Sequence, residues 1–575
     1  MTSVESESQL VVAATPEQPS TAAQGQPRAD DCESLTAGRR WRTLDYWRSP
    51  WTSLLGVAMT ALLLRGVLYG MSSRPFFMTD SGSYLDVAHR FHLPHDRPIG
   101  VSLFYNLLFR VWHDLRMLVI GQALLGVGSA VLAVLVARRV GVLGRYAIVV
   151  GLAVALSPTL LVYERTMLAE TLVVFLTLLA TALFLSALGT GKFGRAIVAG
   201  VVVGTIATVR TNNAVLGVGL VLLAVASGFT TRAWTRAGLV AALLFGAAIP
   251  VLAYGSLNFV SSRAESGDGT FALSYFDGVS LFSRLAPLTD CSEPSRPPAM
   301  RAEVCAAGDA YLNSGVAAII WDPGPVNSAL GSPDIGTTNA ELRELALENA
   351  RNHPTAVLRD GLTTAWQDLT AQDFRYKPRA NQAGHAGNVV ERYFGLADAS
   401  VGSPTFSNGL QNIYGGWVRV RPLLWAALAI VLVLGLFRRW RLNGAALLAF
   451  GLFLVPVGVV ALAGAPGPRY VVPYEFVGFV AAAWLAHVLE IWWLRRRESN
   501  DADDDGPSNF GTPRLGADLG VRLEPLPLPV DQPRMACPTS CQPNGLAGRA
   551  RNWKSGRKAR IARDALAVRA VIATG

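Results

Sequence analysis

The chain has 575 residues, of which 51% are hydrophobic and 16% charged, with a mean hydropathy of +0.33. Soluble domains average about 25% charged residues, so an ordinary soluble enzyme is excluded. In a membrane chain the net charge of +10 belongs to basic cytoplasmic turns, and nucleic acid is not an expected partner.

Residues 1–49 are rich in Ser, Thr, Ala, Gln, Glu and Pro and lack the charged and apolar regions of a cleavable signal. They read as a disordered cytoplasmic tail. Arg39, Arg40, Arg42 and Arg48 precede a first apolar run over about 51–70, which sets the N-terminus on the cytoplasmic side. Further runs fall at about 116–137, 146–161, 166–188, 196–209, 213–228, 237–256, 422–437, 444–464 and 474–494. Such lengths can cross a hydrocarbon core of about 30 Å as helices, and in lipid only helices and closed barrels satisfy their own backbone. The expected fold is therefore an all-α polytopic membrane protein of about ten spans.

Each inner turn carries Lys or Arg, among them Arg138, Arg139, Lys192, Arg195, Arg232 and Arg236. This alternation puts two segments outside: a first loop at 71–115, with juxtamembrane helices, and a small extracytoplasmic domain at 257–419 after the seventh span. The flanking blocks are 50–256, holding spans one to seven, and 420–497, holding spans eight to ten. Within the outer domain the pattern predicts helices at about 338–352 and 354–370. Cys291 and Cys305 lie there too. In an oxidising exterior a disulfide is the natural pairing, and two free thiols are the alternative. Residues 498–575 read as a disordered cytoplasmic tail, with Cys537 and Cys541 in it and a basic end that could form a surface helix.

The candidate chemistry gathers in the first outer loop. Phe76 to Gly100 holds Asp80, Asp86, His89, His92, His95, Asp96 and Arg97. A carboxylate at the membrane edge can act as general base on an acceptor hydroxyl or amine, or hold a divalent ion near a phosphate. It can also cap the helix that carries Tyr84. Asp86 follows Asp80 by six residues, about 120° around a helix, so the two do not share a face. The three histidines are either a metal site or, more simply, a solvated rim. Arg97 opens a second amphipathic stretch, Val101 to Trp112, and can meet a substrate phosphate or a lipid headgroup.

Three further groups stand at outer span ends. Glu164, Arg165 and Glu170 precede and enter the fourth span, with Glu170 expected about one turn inside it. A carboxylate at that depth faces a cavity or a partner, here Arg165 or Arg210. Arg469 and Tyr470 stand before the last span. A guanidinium grips a phosphate in two-pronged fashion, and Glu475 is the residue that would otherwise neutralise it.

These motifs together resemble the GT-C superfamily of polytopic glycosyltransferases, which includes protein O-mannosyltransferases and lipid A aminoarabinose transferases. The matching features are Asp80 with Tyr84 in the first loop, Arg97-Pro98, Ser157-Pro158 with Glu170, Arg210 after the fifth span, and Arg469-Tyr470 with Pro473. The resemblance covers about residues 50–495, and the Arg-, Ala-, Val- and Gly-rich style is that of actinobacterial members. Ser81 follows Asp80 where many relatives carry a second acid.

The resemblance implies a plasma-membrane, multi-pass glycosyltransferase with both termini cytoplasmic. It would move a sugar from a polyprenyl-phosphate donor to an extracytoplasmic acceptor, with inversion. The acceptor is a cell-envelope glycan, lipid or protein. Asp80 would be the base, and Tyr84, Arg97, Glu170, Arg210, Arg469 and Tyr470 would bind substrate. Membrane lipid is the other expected partner. No cofactor is required, and a divalent cation is the one left open. The rival reading is a transporter or flippase of a lipid-linked or anionic solute, which intramembrane Glu170 and Arg210 would also serve.

Overall fold

The computed structural model describes residues 50–504, apart from 79, 91–92, 94–96, 143, 227–232, 267–270, 275, 331–334, 371–382, 396–403, 438–443 and 464–467. Residues 1–49 and 505–575 of the expected tails, the cysteines at 32, 537 and 541, and His92, His95 and Asp96 lie outside the described residues, while 498–504, expected as tail, are helical. The chain divides into a unit Met1–Ser53, described only where the first helix begins, and a unit Leu54–Gly575. Everything below concerns the second unit.

The described regular structure is helical, apart from one isolated parallel bridge between Phe76 and Thr166. Six helices are long and apolar enough to cross a membrane, and a bent pair makes a seventh. The shorter apolar helices include Phe193–Val209 and the stretches 211–226 and 446–462. Every apolar run picked out in the sequence lies on one of these, and the protein is an all-α polytopic membrane protein.

The bundle interior is built from small and β-branched side chains. Ala130, Ala133, Val134 and Ala137 on Leu115–Arg139 are fully buried. So are Ala196, Ala199 and Ile206 on Phe193–Val209. In lipid, helix association rests on close packing rather than on water exclusion, and glycines mark the closest contacts. A Cβ on Gly200 would lie 2.0 Å from the Leu243 carbonyl, and one on Gly246 would lie 2.1 Å from that of Ile197. The helices Phe193–Val209 and Ala233–Ser266 therefore run backbone to backbone.

Four boundaries differ from the sequence pattern. The third run breaks at Ser157, bends by 40° and continues as a helix to Arg165. Pro158 explains the break, since proline suits a first helical turn but not an interior. The fourth span starts at Glu170, not four residues earlier. The bridge to Phe76 takes the Thr166 and Met167 backbone out of the helix: Phe76 N donates to Arg165 O at 2.6 Å and Met167 N to Phe76 O at 3.0 Å. The seventh span overruns its predicted end and reaches Ser266. The last helix likewise continues to Asp504.

The outer segment folds around its own small core of Val279, Phe282, Leu285, Val304, Ile319, Leu342 and Leu345. The two predicted helices are present as Ile335–Asn352 and Pro354–Thr370. Cys291 and Cys305 are joined in a disulfide. Asn339, buried on the first of these helices, accepts from the Gly278 and Val279 amides at 2.9 and 3.2 Å and donates to Asp277 at 2.6 Å.

Candidate active site

Asp80 is placed by the strand-like approach before it and the helix after it. Phe76 is fixed by the bridge to Thr166. Ser81, fully buried, accepts from Met78 N at 2.8 Å and donates to Met167 O at 2.9 Å. The helix Ser81–Arg90 then buries Leu85 and Ala88. Asp80 thus stands immediately before that helix, and its carbonyl accepts from Tyr84 N at 3.2 Å. Its carboxylate turns to arginines: Arg469 donates to Oδ2 at 2.9 Å, and Arg97 approaches Oδ1 to 3.7 Å.

Those arginines reach the site from far along the chain. Arg469 sits in the 3₁₀ turn Pro468–Tyr470, ahead of the last span. Arg97 precedes the helix Gly100–Val111, whose first residue meets the end of Phe193–Val209. A Cβ at Gly100 would lie 2.7 Å from the Thr208 carbonyl oxygen. This close approach brings Arg97 beside Arg210, the residue that ends Phe193–Val209. Arg210 pairs with Glu170 at 2.6 Å and lies over the Tyr470 ring at 4.2 Å. The Arg469 guanidinium is 5.4 Å from the same ring, and Arg97 is 5.2 Å from the ring of Tyr84.

All seven residues singled out for base or substrate roles line one cavity of about 1070 Å³: Asp80, Tyr84, Arg97, Glu170, Arg210, Arg469 and Tyr470. The bundle wall carries three guanidiniums against two carboxylates. A second part of the lining comes from the outer segment and includes Asp277, Ser280, Ser314 and Asp322. Sequence reasoning missed this second wall, because nothing in the local pattern marks those polar residues from their neighbours. Asn339, which orients Asp277, is equally silent in sequence.

Electrostatics follow from the packing. Burial pushes the Asp80 carboxyl up, but Arg469, Arg97 and Arg210 outweigh it and hold it below the usual carboxylate range. Burial and the Asp80 charge push Tyr84 up to about 12. Burial also acts to raise Tyr470, yet Arg469 and Arg210 win and lower it.

Other expected partnerships are redrawn. Glu475 does not neutralise Arg469; it accepts from Trp417 Nε1 at 2.7 Å and from Thr159 at 3.3 Å. Glu164 pairs with Arg65, both buried, and Arg165 donates to the Ser72 carbonyl. Asp86 meets Arg90 at 3.1 Å and accepts from Tyr393 at 2.8 Å, away from Asp80. His89 stacks on Tyr393 at 3.9 Å. Among the described residues, no three His, Cys, Asp or Glu side chains gather as metal ligands. Both oxygens of Asp80 face guanidiniums, a setting that suits an anion.

Neither a protein-family profile nor a curated protein sequence matches this chain. Among solved structures it is similar to the archaeal oligosaccharyltransferase AglB from Archaeoglobus fulgidus in complex with an inhibitory peptide and a dolichol-phosphate. That match has 13% identity over 79% of this chain and 52% of the other, with a TM-score of 0.43. A second structure of the Archaeoglobus fulgidus oligosaccharyltransferase, tethered to an acceptor peptide, gives 14% identity over 78% and 51%, with a TM-score of 0.42. ArnT from Cupriavidus metallidurans bound to undecaprenyl phosphate gives 15% identity over 76% and 79%, with a TM-score of 0.30. The chain spans about half the length of the archaeal protein, at 52% and 51% in its two structures.

Proposed function

We propose that this chain is a GT-C-type membrane glycosyltransferase, moving a sugar from a polyprenyl-phosphate donor to an acceptor on the loop side of the membrane. The observation that supports it is the single cavity in which Asp80 meets Arg97, Arg210 and Arg469. A donor phosphate would take the guanidiniums. Asp80 removes the proton from an acceptor hydroxyl, the acceptor oxygen bonds to the anomeric carbon, and the bond from that carbon to the phosphate oxygen breaks. Polyprenyl phosphate leaves with the electron pair, its new charge held by the arginines, and the anomeric centre inverts. No step is routed through a cation. The basic inner turns favour cytoplasmic termini, which puts the cavity outside.

The test is sugar transfer in membranes from a panel of radiolabelled polyprenyl-phosphate sugars, comparing wild type with Asp80→Asn at matched insertion. Loss of a general base lowers the rate by about 10²–10⁴-fold, with donor binding retained. Equal transfer by both proteins would remove Asp80 from the chemistry. Transport of a lipid-linked solute without transfer would favour the flippase reading instead.

A further inference from the structure

The helix Pro354–Thr370 leaves one apolar stripe uncovered. Leu358, Leu362 and Trp366 are 54%, 64% and 67% exposed. A step of four residues turns about 40° on a helix, so the three form a continuous ridge. The other face is buried through Gly361, Thr364 and Asp368.

The anchors of that buried face fix how the helix lies. A Cβ at Gly361 would be 2.4 Å from Leu462, in the last turn of Val455–Ala463. The Leu369 carbonyl accepts from Trp425 Nε1 at 3.0 Å and from Arg421 at 3.1 Å, at the start of Pro422–Phe437. Gly361 and Leu369 are eight residues apart, roughly 12 Å along a helix. The Trp425 ring in turn lies 4.8 Å from that of Phe453, nine residues before Leu462 on the same apolar stretch, so the helix runs alongside that stretch with its Leu369 end toward the bundle interior. A third tie, from Arg284 to Asp360 at 2.8 Å and Thr364 at 2.7 Å, holds it to the outer lobe.

We infer that this stripe is embedded in the lipid leaflet on the loop side, facing acyl chains beside the bundle. Apolar side chains are also exposed on the neighbouring helices, at Leu423 and Leu462. A tryptophan among apolar neighbours with an arginine, Arg359, beside them is a side-chain set that settles in a membrane leaflet. An apolar ridge of this size facing water would be unusual in a protein surface. The same helix packs against the turn Pro468–Tyr470, so its depth in the leaflet also sets the depth of Arg469.

The test uses full-length protein in lipid nanodiscs, with Cys32, Cys537 and Cys541 changed to serine. Leu358→Cys, Leu362→Cys and Trp366→Cys are each labelled with an environment-sensitive fluorophore, and Glu303→Cys on the disulfide loop is the control. Phosphatidylcholine spin-labelled on its acyl chain should quench all three ridge positions roughly twofold or more, as a lipid-facing helix requires. The control should respond only to iodide. Ridge positions quenched by iodide and not by spin-labelled lipid would overturn the inference in favour of water. Positions quenched by neither would overturn it in favour of a second copy or another protein segment covering the ridge. Each variant changes one exposed side chain, and a single sharp elution peak checks that it is folded. None of these readouts depends on transfer activity.

Discussion

Asp80 lies between Arg469 at 2.9 Å and Arg97 at 3.7 Å, and the proposed reaction asks it to accept a proton there. While the guanidiniums hold it, the carboxylate is a weak base, because they keep its pKa below 3.8 against the pull of burial. A donor phosphate competes for the same arginines. Once they turn to the phosphate, burial is left as the larger influence and the carboxylate becomes more basic. The donor would thus arm the base. The pH profiles separate the two states, since kcat/KM reports the free enzyme and kcat the bound complex. The acid limb of kcat should lie at higher pH than that of kcat/KM. In Arg469→Gln the kcat/KM limb should move up toward the kcat limb, with donor binding weakened. Coincident limbs in wild type would mean that the arginines stay on Asp80 throughout. For stability the sign is that of a depressed acid: the pairing contributes fully above the unfolded value of 3.8 and is lost as pH falls through the lower folded value.

Between elements, the bundle is tied by one ion pair expected from the sequence, Glu170 with Arg210, and by another that no local pattern foretells. Arg65 on the first helix meets Glu164 on the second half of the bent pair, and both are buried. Gly126 makes room for them, since a Cβ there would fall 1.8 Å from the Glu164 carboxylate. Removing one partner of such a pair leaves a buried charge uncompensated and costs about 3–5 kcal/mol, whereas removing both with apolar groups is often neutral. Arg65→Leu should therefore lower thermal stability in detergent strongly, and Arg65→Leu with Glu164→Leu should recover most of it. A double variant as unstable as the single one would mean that Arg65 acts through its bonds to the Ala61 and Ala155 carbonyls and not through the pair. The same distinction explains what could be read from the sequence. Spans were legible because hydropathy is a local sum over one helix. The start of the fourth span at Glu170 was not, because the bridge from Phe76 is non-local. Arg469 could be chosen as a phosphate ligand from residue type, but its partner Asp80 lies 389 residues away and Glu475, six residues on, was the nearer candidate.

For the molecule as a whole, the cavity has two owners. The bundle supplies the arginines, Asp80 and Glu170, and these were legible as charges at the ends of apolar runs. The outer segment supplies Asp277, Ser280, Ser314 and Asp322, and these were not, because a polar residue in a polar segment carries no address. If the bundle wall holds the donor phosphate, the outer wall is left to face the sugar and the acceptor. Asn339 is the place to separate the two. It lies in the outer segment, outside the lining of the cavity, and its three hydrogen bonds hold the first turn of the helix Asp277–Leu285, whose Asp277 lines it. Asn339→Leu leaves the Gly278 and Val279 amides without an acceptor, at about 1–3 kcal/mol for a buried group so exposed, and takes one hydrogen bond from Asp277, leaving the Arg343 guanidinium at 3.6 Å. The spans and their arginines are untouched. Undecaprenyl phosphate should therefore bind this variant within about twofold of wild type, while transfer falls by about tenfold or more, a rise of at least ~1.4 kcal/mol in the barrier. Binding and transfer falling together would show that the outer wall also shapes the phosphate site. Unchanged transfer would show that the turn at Asp277 has no part in holding what the reaction uses.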